Sequence, residues 1–138
     1  MNKINLYKKF YKLGSHIDNL CFHFMEYGLV EGAIHDLWDI IKYGKSSDIE
    51  KFTGKFYKIK SSLESKIKVY NGEINSSEFN DTKLLVKVKI KNRLNKLKSA
   101  HLNLSKFEQD FIEVIGLSLF DVNTMNQIQN KEPKIPEE

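Results

Sequence analysis

The chain has 138 residues, 41% of them apolar and 29% charged, and a formal charge of +4 at neutral pH. That length supports one domain with its own core, and the composition is that of an ordinary globular protein. No apolar run exceeds three residues, which excludes a membrane-spanning helix and leaves no hydrophobic segment for a secretory leader.

Both prolines, Pro133 and Pro136, fall at the very end, so most of the chain is free of the strongest helix breaker. Leu6, Phe10, Leu13, Ile17, Leu20, Phe24 and Tyr27 recur at alternating steps of four and three. That spacing places them on one side of a first helix ending near Gly28. Val30, Ile34, Leu37 and Ile41 predict a shorter second helix closed by Gly44. Ser47-Asp48-Ile49-Glu50 has the reciprocal spacing of a capping box and opens a third. The third continues through Ile49, Phe52, Phe56, Ile59, Leu63, Ile67 and Tyr70 to Asn71-Gly72. A fourth starts near Ser77 and carries Val86, Ile90, Leu94, Leu97 and Leu104. A second capping box, Ser105-Lys106-Phe107-Glu108, opens a last helix with Phe107, Phe111, Val114 and Ile115.

One alternative uses a different period. Val86-Lys87-Val88-Lys89-Ile90-Lys91 alternates as a half-buried strand does, and Tyr70-Asn71-Gly72-Glu73 suits a hairpin turn. A short meander over 65–91 would make the protein α+β. The helical period wins because it runs unbroken from 49 to 70, a stripe that strands cannot use. The expected fold is therefore all-α: an antiparallel bundle of four long helices plus one shorter helix, spanning 1–120 as a single domain. Residues 121–138 have no apolar period and read as a flexible C-terminal tail.

Charge is segregated along the chain. From Gly14 to Ile41 there are five acids (Asp18, Glu26, Glu31, Asp36, Asp39) and no lysine or arginine. From 81 to 106 there are eight bases against Asp81 alone. Within the segment 83–98, Lys83, Lys87, Lys91 and Lys98 border one side of the apolar stripe of the predicted helix. Lys89, Arg93 and Lys96 border the other. Lysine stems commonly cover the margins of such a seam, and acidic helices lying alongside would screen them. Left open, the segment 83–98 forms a basic stripe up to about 24 Å long, with Lys87, Lys89, Lys91, Arg93, Lys96 and Lys98 making a sequence-tolerant nucleic-acid contact. Arg93 is the only arginine, so the planar fork that reads bases is nearly absent.

Leu84, Leu85 and Val88 point away from the main stripe of that helix. Uncovered, they would form a partner surface. The leading expectation is thus a small non-catalytic protein acting by contact with another protein, or with itself, as an adaptor, inhibitor or accessory subunit. Nucleic-acid binding through 83–98 is the alternative. No cofactor, metal ligand or catalytic residue is assigned. With Cys21 as the only cysteine, no internal disulfide can form and the expected location is cytoplasmic.

A third expectation rests on chemistry. His35-Asp36, followed by Leu37 and Trp38, with His16 or His23 upstream and Asp110 downstream, resembles the order of metal ligands in HD-domain phosphohydrolases, which are also all-helical. The resemblance implies a divalent metal that activates water. It covers one dipeptide, and the position where that family carries a small residue is Trp38 here. His101 lies on the seam between Leu97 and Leu104 and reads as a half-buried, hydrogen-bonded histidine. Cys21 reads as core.

Overall fold

The computed structural model describes residues 1–21 and 24–116. Every element among them is helical: α1 (Lys3–Leu20), α2 (Leu29–Tyr43), α3 (Ser46–Ile74), α4 (Ser77–Asn80) and α5 (Leu84–Ile115). The fold is the expected all-α bundle of four long helices plus one short one, and the segment proposed as a meander is helix at both its ends. His23 and the expected tail 121–138 lie outside the described residues.

The four long helices form a ring in which α1 packs on α2 and α5, and α3 packs on α2 and α5. Contacts between neighbours give the directions. Lys9 near the start of α1 pairs with Asp110 near the end of α5, while Leu20 at the end of α1 meets Arg93. Lys60 reaches Glu108 at 2.5 Å and Glu64 meets His101 at 3.2 Å, so α3 and α5 are antiparallel too. The acidic helix α2 and the basic helix α5 occupy opposite corners of the ring.

The middle is filled by aromatic rings at the helical spacing read in the sequence. Phe10, Phe52, Phe56, Phe107 and Phe111 are all fully buried, and the Phe10 ring centre lies 4.8 Å from Phe107 and 5.2 Å from Phe52. Each such ring contributes roughly 1.5–3 kcal/mol by leaving water. Gly14 lets α1 and α2 approach closely. A Cβ there would stand 3.0 Å from side-chain carbons of both Val30 and Ile34.

Five boundaries differ from the sequence reading. α1 stops at Leu20 rather than near Gly28: the Cys21 N–H makes the last helical bond, to Ile17, and the N–H groups of Phe24 and Met25 both turn back to the Cys21 carbonyl. Tyr27, assigned to the first stripe, is fully exposed. α3 begins at Ser46 behind Lys45 with no side-chain cap, so the Ser47–Glu50 box is not used, and it runs through Asn71-Gly72 to Ile74. The break expected at Ser105 is absent. Ser105 donates to the His101 carbonyl, Glu108 accepts from Lys60, and the buried series Leu97, Leu104, Phe107, Phe111 continues in one register. A capping motif has no work to do where the backbone ladder is already complete. Lastly, Ser77–Asn80 forms a single turn of its own, and α5 starts only at Leu84.

Unequal helix lengths decide what is covered. At 1.5 Å per residue α5 is about 48 Å long and α3 about 43 Å, against about 27 Å for α1 and 22 Å for α2. Burial therefore ends at Leu63 in α3 and begins only at Leu94 in α5. The first turns of α5 project past the body of the bundle.

Candidate functional site

The projecting start of α5 carries the apolar residues singled out in the sequence. Leu84 is 77% exposed, Leu85 67% and Val88 46%. Val86, which the apolar period assigns to the core stripe, is 43% exposed as well. α1 ends level with Arg93, and among the described residues only the 75–83 connection, with the single turn α4, accompanies these turns, so no long helix shelters them. Leu84, Leu85 and Val88 thus meet water together on one side of the helix, and Val86 does so on the other.

The basic residues of 83–98 divide between two sides of α5, as the wheel of the sequence implies. Lys87 donates to the Asn80 carbonyl at 3.0 Å and lies over the Phe79 ring at 5.5 Å, and Lys91 lies over the same ring at 5.8 Å. Their stems shelter Phe79, which is buried although it belongs to a single turn of helix. Cation–ring contacts at such exposed positions contribute about 0.5–1 kcal/mol each. Lys98 is exposed on the His101 side of the helix. On the other side Lys89 and Lys96 are exposed, while Arg93 turns inward. Its guanidinium donates to the Leu20 carbonyl at 2.7 Å and its Nε is buried without a partner. Arg93 therefore closes the carbonyl end of α1, where a cation is favoured. None of the six forms an ion pair with a described carboxylate.

Between α1 and α5 runs a groove with cations and amides on both walls. One recess of about 470 Å³ is lined by His16 and Asn19 from α1 and by Lys89, Asn92, Arg93 and Lys96 from α5. The next, about 390 Å³, shares His16 and adds Lys9, Lys12, Asn103 and Lys106. Among the described residues the only carboxylate paired with these walls is Asp110, which Lys9 holds. Past Lys9 and Lys12 the surface continues to Tyr7 and Tyr11. Their ring centres lie 6.2 Å apart, and Tyr7 in turn stands 4.9 Å from Trp38 of α2. These aromatic and α1 residues were not assigned from sequence. The signal was present, since Tyr7-Lys8-Lys9-Phe10-Tyr11-Lys12 interleaves rings with lysines. Reading the run only as one turn of an apolar stripe hid it: Phe10 is core, whereas Tyr11 is 53% exposed.

The His35-Asp36 pair does not converge. Asp36 accepts a 2.5 Å bond from Lys55 of α3, whereas the exposed His35 faces Asp39 at 4.0 Å. Asp110 lies on α5, at the opposite corner of the ring from α2. Among the described residues no three His, Cys, Asp or Glu side chains gather in a metal-holding group. His101 makes its hydrogen bond to Glu64. Cys21 is buried, and burial pushes its thiol from an ordinary 9.0 up to about 12; the nearby Arg93 charge acts in the opposite sense, and Asp18 adds slightly to the rise. Such a thiol is unreactive at neutral pH. No described helix is long and apolar enough to cross a membrane.

Comparison with protein-family models, with curated proteins and with solved structures gives no match to this chain.

Proposed function

We propose that this is a non-catalytic interaction protein that grips another protein through the uncovered start of α5. The observation that carries the reading is the joint exposure of Leu84, Leu85 and Val88 on turns that no long helix among the described residues covers. Exposed apolar groups that adjoin one another mark partner surfaces more often than isolated ones do.

The surroundings say what kind of partner fits. Lys83, Lys87, Lys89 and Lys91 surround the apolar residues, and no described carboxylate pairs with them. A matching surface has an apolar centre rimmed with Asp and Glu, which steers encounter and sets register. Two-fold self-association would put the same patch against itself, lysine facing lysine, so a different protein is the better occupant.

The test is affinity capture with the whole chain after nuclease treatment, comparing wild type with Leu84→Asp plus Val88→Asp. The expected outcome is loss of a captured partner with an unchanged helical circular dichroism spectrum. An identical partner profile for the two proteins would end this reading.

A further inference from the structure

A second surface begins beside those turns at Lys89 and leads away from them along α1, joining two features that the sequence keeps about eighty residues apart. The outer face of α1 and the α1/α5 groove form one continuous path. Tyr11 and Tyr7 stand at one end, then come Lys8 and Lys12, then His16, and finally Lys96 and Lys89. We propose that this path binds single-stranded nucleic acid without sequence preference, bases stacking on the tyrosines and phosphates following the lysines of the groove.

Three observations carry it. The first is the pairing of rings with cations. Tyr11 is exposed, Tyr7 stands beside it with ring centres 6.2 Å apart, and Tyr7 packs on Trp38 at 4.9 Å, so the rings form one aromatic cluster open to solvent at Tyr11. A base stacked on such a ring contributes about 1–3 kcal/mol whatever its identity. The second is the sign of the walls. Lys12, Lys89, Lys96 and Lys106 are exposed and have no described carboxylate partner, and Asn19, Asn92 and Asn103 between them offer both donors and acceptors. The acidic helix α2 lies across the bundle from α5 and meets the path only at its tyrosine end, where Tyr7 packs on Trp38. The third is the division of the lysines of 83–98. Lys87 and Lys91 are occupied over Phe79 and face away from α1. The nucleic-acid reading of that segment thereby contracts to Lys89 and Lys96 and gains the residues of α1.

The geometry selects a single strand over a duplex. Paired bases present only their edges, so Tyr11 and Tyr7 would have nothing to stack on. With Arg93 turned to the Leu20 carbonyl, the planar fork that would read guanine is engaged within the protein. Affinity then comes from phosphate contacts and stacking, both indifferent to sequence.

The experiment is fluorescence anisotropy of the whole protein with a labelled oligothymidylate across a salt series. Arms with the same strand as a duplex and with phosphatidylserine vesicles are run alongside. Binding is expected at low salt, at least tenfold tighter for the single strand than for the duplex. For Lys12→Ala plus Lys96→Ala the log–log salt slope becomes shallower by about 0.7 for each lysine removed. Tyr11→Ala lowers affinity about 5- to 150-fold with the slope unchanged. Tyr11→Phe restores it, because the ring is what matters. Lys87→Ala plus Lys91→Ala leaves the slope of wild type. The proposal is overturned if the oligomer fails to bind at low salt, if duplex or vesicles bind as well as the single strand, or if Tyr11→Ala has no effect. None of these results bears on capture through Leu84 and Val88.

Discussion

The two halves of α5 have the same helical period and opposite fates. In the C-terminal half Leu104, Phe107 and Phe111 are fully buried; in the first turn of the N-terminal half Val86 stands in the same register and is 43% exposed. Nothing in the spacing separates them. The difference is the company each half keeps: α1 and α3 flank the one, and a short connection accompanies the other. An apolar stripe is thus a capacity for burial, and the lengths of the neighbouring helices decide how much of it is realised. The lesson is functional as well, since the unrealised part is where a partner can add.

Substitutions can break this contrast. Phe107→Ala should cost about 3–5 kcal/mol, because four other phenylalanine rings surround the cavity it leaves. Urea unfolding measures it, and a loss below about 1 kcal/mol would mean the aromatic centre is not packed as described. Gly14→Val should cost about 1–3 kcal/mol by forcing α1 away from Val30 and Ile34, read as a lower urea midpoint at an unchanged slope. Gly44→Ala should cost about 1 kcal/mol, since this residue closes α2 at φ +64°, where a side chain is strained. At the small end, Leu84→Ala and Leu85→Ala should each change stability by no more than about 0.5 kcal/mol. A larger loss would show that these leucines already have a partner within the chain.

Cys21 sharpens the same contrast through pH. Its pKa is raised in the fold to about 12 from 9.0, so above pH 9 the unfolded chain loses this proton more readily than the folded one. Its contribution to stability is therefore complete below pH 9 and is lost as pH rises toward 12. At pH 8 thiol labelling should be slow in the native protein and become fast on unfolding in urea. Rapid native labelling would place Cys21 at the surface.

Much of the bundle was legible because one rule sufficed. Steps of three and four in Leu6–Leu20, Ile49–Leu63 and Leu94–Leu104 name residues that are all buried. Boundaries were less legible, since a cap motif marks where a helix can end, and tertiary contacts decide whether it does. Ser105–Glu108 is spent on His101 and Lys60, while α1 ends where Arg93, far along the chain, meets the Leu20 carbonyl. For the candidate sites, the apolar group at 84–88 and the two lysine borders could be read from the wheel of α5 alone. The tyrosine–lysine path could not, because it needs α1 laid against α5.

The sequence by itself determined the secondary structure class, the phenylalanine core and the separation of acidic from basic segments. These follow from local period and composition, which act within a few turns of helix. Only the tertiary structure decided that α2 stands away from α5, that Arg93 serves α1, and that the first turns of α5 remain in water. Each depends on which helices pack together and how far each extends, and those relations join residues whose separation along the chain no local pattern records.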